Sequence, residues 1–129
     1  MADERKMILA VDDTQVQLRI IQSVLRDEFE VRLAKSGGMA LTALDRITPD
    51  LILLDIEMPD MSGFEIMEEI KRRPQLKDIP VIFITAHAGP EIAAQAARTR
   101  AQGYIVKPFD SKILRDAVYR ALGTAGADG

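Results

Sequence analysis

The sequence predicts an α/β domain in which helices cover both faces of one doubly wound parallel sheet. Two runs of consecutive aliphatic residues, 51–54 and 81–84, lack polar alternation and are typical of strands buried on both faces. Short apolar runs alternate with helix-like segments along the whole chain, giving five of each. Right-handed crossovers, with the less buried second strand at one edge, favour the strand order 2-1-3-4-5.

The first three elements are a strand, a helix and an edge strand. Residues 6–11 form an apolar run closed by acids, which predicts the first strand. Over 14–27 apolar residues recur at spacings of three and four, which predicts an amphipathic helix with Asp13 or Thr14 as N-cap. Over 29–34 apolar and charged residues alternate, as in a strand with one less buried face.

The middle of the chain holds the second helix, the central strand and the third helix. Gly37-Gly38 breaks the chain before a helix predicted at 39–47. Leu51–Asp55 is the central strand and ends on a carboxylate. Ser62 and Glu65 have capping-box spacing, so the third helix begins there and continues to about residue 73.

The last elements are a buried strand at 81–85, a helix at 91–100, a short strand at 103–106 and a helix at 110–122. The helix at 91–100 is rich in alanine and weakly patterned, so we expect it to pack shallowly and to shift easily. Residues 123–129 are small and polar, and we interpret them as a flexible tail or the start of a linker after a single domain at 1–122.

Composition excludes several classes of function. The chain of 129 residues has no cysteine and one histidine, His87, so disulfides and the usual zinc sites are excluded and a metal would be bound by oxygen. We find neither a membrane span of roughly 18 apolar residues nor a signal peptide, and we expect a cytoplasmic protein without membrane contact. The net charge of -3 gives no attraction to nucleic acid, and none is expected as a partner.

Carboxylates follow two strands that the predicted order makes neighbours. Asp12, Asp13 and Asp55 therefore converge at the carboxyl edge of the sheet, where ligands bind in open α/β folds. Three carboxylates together raise at least one pKa unless a countercharge is present. A divalent cation such as Mg²⁺ would supply it and would leave positions open for phosphate oxygens.

The ends of the last two strands add groups that complement these acids. Thr85 offers a hydroxyl, Ala86 and His87 offer backbone N–H groups, and Lys107 offers a positive charge suited to a phosphate oxygen. A carboxylate nucleophile, a metal, a hydroxyl and a cation are the parts needed to accept a phosphoryl group in line.

These motifs resemble the receiver domain of two-component response regulators, the chemotaxis regulators among them, whose fold is the flavodoxin-like (βα)5 fold. The resemblance extends from about residue 6 to 122 and depends on four motifs in fixed order: Asp12-Asp13, the segment 55–63, Thr85-Ala86 and Lys107-Pro108-Phe109. It implies a domain that catalyses no turnover of its own and assists only its own phosphorylation and dephosphorylation.

The resemblance implies a role for each acidic residue. Asp55 would accept a phosphoryl group from the phosphohistidine of a sensor histidine kinase or phosphotransfer protein. Asp13 and Asp55 would ligate Mg²⁺ by side chain, Asp12 mostly through water, and Glu57 through its backbone carbonyl. Mn²⁺ or Ca²⁺ would substitute for Mg²⁺.

The resemblance also implies a switch. Lys107 would pair with the phosphoryl group, Thr85 would hydrogen-bond it, and the Ala86 amide would contact it. Tyr104 would turn inward as Thr85 moves, remodelling the face of the fourth helix, fifth strand and fifth helix for an output protein or domain. The resemblance also implies a cis Lys107-Pro108 bond. It leaves open whether the protein forms a homodimer.

Two side chains beside the expected acceptor have no fixed role in the family. Glu57 and His87 flank the path of the water that would hydrolyse the acyl phosphate, and we interpret them as modulators of dephosphorylation. Gly89-Pro90 gives the next loop an unusual path whose function the sequence does not indicate.

Three other classes of protein fit the sequence less well. An aspartyl-phosphate phosphatase would need a cap domain for which the chain has no room, and a flavodoxin-like cofactor binder would need a first loop rich in Ser, Thr and Gly. A receiver-like protein used only for contacts would not need the complete set of acids, hydroxyl and lysine. The sequence leaves open whether the chain is a free-standing regulator or the N-terminal module of a longer protein.

Overall fold

The computed structural model describes residues 5–123 as ten alternating strands and helices. The strands are β1 (Met7–Val11), β2 (Glu30–Ala34), β3 (Leu51–Asp55), β4 (Val81–Thr85) and β5 (Gly103–Val106). The helices are α1 (Gln15–Leu25), α2 (Gly37–Leu44), α3 (Gly63–Arg72), α4 (Pro90–Arg98) and α5 (Ser111–Leu122). Within residues 5–123, none of these helices has the length and apolar character needed to cross a lipid bilayer.

All five strands are parallel and lie in the order β2-β1-β3-β4-β5, so the predicted topology is confirmed. Alternate residues of each strand face opposite helical layers. The layer of α2, α3 and α4 covers Leu9, Val11, Ile52, Leu54, Val81 and Phe83. The layer of α1 and α5 covers Ile8, Ala10, Leu51, Leu53, Ile82, Ile84 and Ile105. Because both faces are buried, β1, β3 and β4 need uninterrupted apolar runs.

The strand register brings the carboxyl ends level with one another. Val11 lies opposite Leu54, Asp55 opposite Ile84, and Thr85 opposite Val106. The residues that follow β1 and β5 therefore lie at the same edge as the last residues of β3 and β4. This edge is where the predicted acids, hydroxyl and lysine meet.

The second helix begins earlier than the sequence predicts. Ser36 is its N-cap and accepts a hydrogen bond from the Met39 amide at 3.1 Å, so Gly37 and Gly38 form the first turn and do not break the chain. A Cβ on Gly37 would lie 2.9 Å from the Cβ of Met61, so glycine allows the helix to approach the loop after β3. The helix ends at Leu44, before the predicted end at residue 47.

Other local predictions hold in part. β2 is an edge strand, as predicted. The alternation predicted that Leu33 lies on its buried face, but Leu33 is 37% exposed. The capping box of Ser62 and Glu65 is present. Only Ala96 of α4 is buried, which confirms its shallow packing. Of the proposed tail, Gly123 caps α5 with a left-handed φ of 73°, and residues 124–129 lie outside the described part of the chain.

Candidate functional site

Three carboxylates meet at the carboxyl edge of the sheet. One ligand oxygen each from Asp12, Asp13 and Asp55 lies within 4.8 Å of the others. Asp12 and Asp55 are buried at 0% and 1% exposure, whereas Asp13 is exposed to solvent. Parallel register produces this convergence, because β1 and β3 are neighbours and end at the same level. The predicted grouping of the three acids is therefore present.

Asp12 uses its two oxygens differently. Oδ1 accepts hydrogen bonds from the Thr14 amide at 3.0 Å and the Thr14 hydroxyl at 2.9 Å. Thr14 is the N-cap residue of α1, as predicted, but its hydroxyl binds Asp12 and makes no side-chain hydrogen bond to the helix. Oδ2 lies 3.0 Å from the Lys107 ammonium as an ion pair, without a well-directed hydrogen bond.

The donor set of this cluster fits a hard divalent cation. A buried carboxylate oxygen without a directed hydrogen bond, Oδ2 of Asp12, retains lone pairs for a cation or for a water bound to one. Asp13 is open to solvent, so a bound ion would keep part of its hydration shell, as Mg²⁺ requires. Such an ion would also supply the countercharge that three close carboxylates need.

Asp55 has the most perturbed acidity at the site. Burial of its carboxylate, followed by the charge of Asp12, raises its pKa from 3.8 to about 7. The charge of Lys107 and the amide of Glu57, which donates to Oδ1 at 3.3 Å, lower it and offset part of that increase. A buried carboxylate with so high a pKa marks a candidate reactive group.

Lys107 places one positive charge between two buried acids. Its Nζ lies 3.0 Å from Oδ2 of Asp12 and 3.5 Å from Oδ2 of Asp55. Burial alone would lower the pKa of Lys107, but the contact and charge of Asp12 and the charge of Asp55 raise it above its ordinary value. The peptide bond between Lys107 and Pro108 is cis, as the resemblance implied.

Thr85 is the last residue of β4 and is fully buried. Its hydroxyl both donates and accepts hydrogen bonds. Its hydroxyl lies 3.1 Å and 3.4 Å from the two carboxylate oxygens of Glu57 and 3.2 Å from the carbonyl of His87. The His87 amide donates to this hydroxyl at 2.9 Å, so it is already engaged. The Ala86 amide donates to Glu57 Oε1 at 3.4 Å. The Glu57 side chain therefore contacts the Thr85 hydroxyl and the Ala86 amide, the two groups expected to bind a phosphoryl group.

Tyr104 and His87 extend from the outer part of this edge. Tyr104 lies on β5 opposite Phe83, and it is 39% exposed. Its ring is therefore directed outward in this state. The imidazole of His87 is exposed and makes no hydrogen bond or ion pair with any residue in 5–123.

A support of the site was missed by sequence reasoning. The Asp60 carboxylate accepts hydrogen bonds from the amides of Gly37 at 3.1 Å and Gly38 at 2.9 Å. The hydrogen bonds from these two amides lower the pKa of Asp60, and the bond from Gly38 has the larger effect. The contact attaches the loop after β3 to the first turn of α2. Its signal in the sequence, an acid in one loop and two glycines in another, does not reveal that the loops meet.

A second close contact supports the loop after β3. A Cβ on Gly63 would lie 2.6 Å from the carbonyl oxygen of Asp55 and 2.9 Å from the Cα of Ile56. The Gly63 amide donates to the Ile56 carbonyl at 2.8 Å. The first turn of α3 thus returns onto the end of β3, against the backbone of Asp55 and Ile56. Only a residue without a side chain fits there.

Known proteins resemble this chain over most of its length. A family model described as the response regulator receiver domain matches residues 8–119. Chemotaxis protein CheY of Pseudomonas aeruginosa is 34% identical over 113 residues, which cover 86% of this chain and 91% of the relative. A high-resolution structure of the chemotaxis response regulator CheY4 of Vibrio cholerae superposes with a TM-score of 0.86 at 30% identity, covering 91% of this chain and 98% of that one.

Longer proteins contain the same region. A probable cyclic di-GMP phosphodiesterase of Vibrio cholerae is 36% identical over 115 residues, which cover 89% of this chain. The match takes up 26% of that relative. This chain thus spans about a quarter of that relative's length. The name of the relative describes the longer protein as a whole.

Proposed function

We propose, from the premise that this chain belongs to the response regulator receiver domains, that Asp55 is the residue whose phosphorylation operates it. Receiver domains are phosphorylation-dependent signalling switches of two-component systems, and this chain is one of them. The observation that carries the assignment is the burial of the Asp55 carboxylate beside those of Asp12 and Asp13 and 3.5 Å from the Lys107 ammonium.

The reaction would be a transfer to the Asp55 carboxylate. A carboxylate oxygen attacks the phosphorus of a phosphohistidine, the new O–P bond forms as the P–N bond breaks, and the imidazole nitrogen leaves with the electron pair and takes up a proton. Asp55 must be ionised to attack. Lys107 favours that form, because its charge lowers the pKa of Asp55.

The acids would hold the magnesium ion that this family uses. We assign Asp13 and Asp55 as side-chain ligands, Asp12 as a ligand mostly through water, and the backbone carbonyl of Glu57 as a further ligand. The grouping of the three carboxylates within 4.8 Å supports this assignment. When bound, the ion offsets the charge that develops on the transferred phosphoryl oxygens.

The phosphoryl group would be held by three groups at the ends of β4 and β5. Lys107 would pair with one oxygen, and the Thr85 hydroxyl and the Ala86 amide would donate to others. Their positions support this proposal, because Thr85 lies level with Val106, one residue before Lys107. The phosphoryl group would also supply up to about two negative charges to reorganise these donors.

The switch would pass from Thr85 to the face formed by α4, β5 and α5. Movement of Thr85 toward the phosphoryl group would leave space for Tyr104, which is directed outward here at 39% exposure. The shallow packing of α4, with only Ala96 buried, supports it as the element that shifts. This face would contact an output protein or domain.

The partners follow from the same chemistry. The donor would be a sensor histidine kinase or a phosphotransfer protein, and we expect the protein to act in the cytoplasm. The domain would assist its own phosphorylation and dephosphorylation and would not turn over other substrates. Residues 1–122 would form the receiver and 123–129 its tail, either in a free-standing regulator or at the N-terminus of a longer one.

Loss of the phosphoryl group would be tuned by Glu57 and His87. Glu57 contacts the Thr85 hydroxyl, and His87, two residues after Thr85, has an imidazole exposed to solvent. We expect Glu57→Ala and His87→Ala to change the lifetime of the acyl phosphate more than the free energy of unfolding. Unchanged lifetimes in both variants would remove this part of the proposal.

The test is phosphorylation by a small donor. The protein is incubated with Mg²⁺ and acetyl phosphate, and intact mass is compared between the wild type and Asp55→Asn. We expect one added phosphoryl group in the wild type and none in the variant. Absence of the adduct with excess donor and Mg²⁺, or its persistence in Asp55→Asn, would overturn the assignment. Turnover of small phosphate esters would instead support a phosphatase.

A further inference from the structure

The carboxylate of Glu57 already occupies two of the donors that the phosphorylated state would need. Its oxygens lie 3.1 Å and 3.4 Å from the Thr85 hydroxyl, and Oε1 accepts from the Ala86 amide at 3.4 Å. In the same arrangement, the backbone amide of Glu57 donates to Asp55 Oδ1 at 3.3 Å. The backbone of Glu57 thus contacts the Asp55 carboxylate. Its side-chain carboxylate contacts the Thr85 hydroxyl and the Ala86 amide, which would bind the phosphoryl group.

These donors cannot serve two anions at once. The Thr85 hydroxyl has one proton and the Ala86 amide has one, and each would be needed by a phosphoryl oxygen. Two anions in contact with the same pair of donors would also repel each other. A phosphoryl group at Asp55 therefore requires the Glu57 carboxylate to leave.

The structure permits that departure. Glu57 is exposed to solvent, so its side chain can rotate into water while its backbone stays beside Asp55. Thr85, in contrast, is fully buried, and its hydroxyl keeps the His87 carbonyl at 3.2 Å as an acceptor when the carboxylate leaves. The exchange of one anion for another at these donors would thus release Thr85 from Glu57.

We propose that Glu57 is an internal competitor of the phosphoryl group: its carboxylate occupies the Thr85 hydroxyl and the Ala86 amide in the resting state and reduces the affinity of the site for a phosphoryl group. The proposal rests on the proposed function of Asp55 and adds a cause for its resting state. It differs from an effect on hydrolysis, because it concerns the equilibrium occupancy of the donors and not the attack of water.

The experiment is a titration with beryllofluoride, a phosphoryl mimic that is not lost through an acyl phosphate hydrolysis step, at saturating Mg²⁺. Wild type, Glu57→Ala, Glu57→Gln and Glu68→Gln are compared by calorimetry. Glu68 is an exposed acid on α3 that makes no hydrogen bond or ion pair within the described residues, so its variant controls for the loss of one charge. Glu57→Gln keeps an acceptor oxygen but removes the charge.

We expect Glu57→Ala to bind beryllofluoride about tenfold more tightly than the wild type, since a charge-assisted contact no longer competes. Glu57→Gln should lie between the two, and Glu68→Gln should match the wild type. Equal or weaker binding by Glu57→Ala, or the same gain in Glu68→Gln, would overturn the competitor role while leaving phosphorylation of Asp55 intact. No binding by the wild type would instead overturn the proposed function and this inference with it.

A second measurement needs no mimic. In amide NMR spectra of the metal-free protein, Glu57→Ala should shift the resonances of Ala86 and His87, whereas Glu68→Gln should leave them unchanged. Unshifted resonances in Glu57→Ala would show that the carboxylate does not occupy these donors in solution, and would overturn the inference independently of Asp55.

Discussion

The ammonium nitrogen of Lys107 lies 3.5 Å from Oδ2 of Asp55. The same nitrogen lies 3.0 Å from Oδ2 of Asp12, so a single positive charge compensates two buried carboxylates. Both acids are almost fully buried, and the lysine side chain is 20% exposed. In the absence of metal, Lys107 is therefore the positive charge that offsets these two acids.

Removing the Lys107 charge should destabilise the metal-free protein. We expect Lys107→Met to lower the free energy of unfolding by about 3 kcal/mol at pH 7.5, because two buried carboxylates lose their partner. The loss should shrink at saturating Mg²⁺, which supplies a replacement charge. Denaturant unfolding with and without Mg²⁺ measures both values.

The matched control for that variant is Lys112→Met. Lys112 forms an exposed i,i+4 pair with Asp116 at 2.8 Å, and such solvent-screened pairs contribute little to stability. Its loss should be small and independent of Mg²⁺. Equal losses in both lysine variants would contradict the role given to Lys107.

Asp55 should make the stability of the metal-free protein fall as pH rises. Its pKa is 3.8 when unperturbed and about 7 in the folded protein, so the folded state holds a proton that the unfolded state has released. The contribution of this group is fully favourable below about pH 4 and is lost as pH rises to about 7. A shift of this size corresponds to an upper bound of roughly 4 kcal/mol.

Asp55→Asn tests this dependence. At pH 7.5 we expect the variant to be more stable than the wild type by about 1–3 kcal/mol, because a neutral amide replaces a buried anion. Near pH 4 the carboxyl group is neutral and the two proteins should be similar. Unfolding curves across this range check the sign, and a difference that grows toward low pH would refute it.

Two glycines at helix starts should respond in opposite ways to alanine. Gly63→Ala places a methyl group 2.6 Å from the carbonyl oxygen of Asp55, a backbone atom that cannot move aside, and should cost about 2–3 kcal/mol. Gly38→Ala meets Asp60 at 3.7 Å and should be neutral or stabilising by up to about 1 kcal/mol. Thermal unfolding of both variants measures the difference, and similar effects would contradict the close packing at Gly63.

Tyr104 should become less accessible when the site is occupied. The chain has two tyrosines, and Tyr119 can be replaced by phenylalanine to leave Tyr104 as the only fluorescent tyrosine. We expect Mg²⁺ and beryllofluoride to reduce acrylamide quenching of Tyr104, which is 39% exposed at rest. The reduction should be absent in Asp55→Asn, and unchanged quenching in the Tyr119→Phe protein would argue against an inward turn.

Much of the fold and the position of the site follow from local patterns. Uninterrupted aliphatic runs identify β3 and β4 because a strand buried on both faces has no polar face. A strand-final Asp55 and the paired Asp12 and Asp13 indicate a shared edge once the strand order is inferred. Hydrophobic periodicity predicts the strands and helices, and their order along the chain predicts the topology. The linear sequence was therefore sufficient to place the acids at one edge of the sheet.

The contacts of individual side chains were decided only by the tertiary structure. The position of Glu57 on Thr85 and Ala86, and of Asp60 on Gly37 and Gly38, joins residues 22 to 29 positions apart. No periodicity encodes such pairs, because they depend on how two loops meet after the strands are aligned. The sequence alone thus determined a receiver fold with an acidic edge, whereas the folded chain decided which donors are occupied at rest, since hydrogen bonding depends on distances that only packing sets.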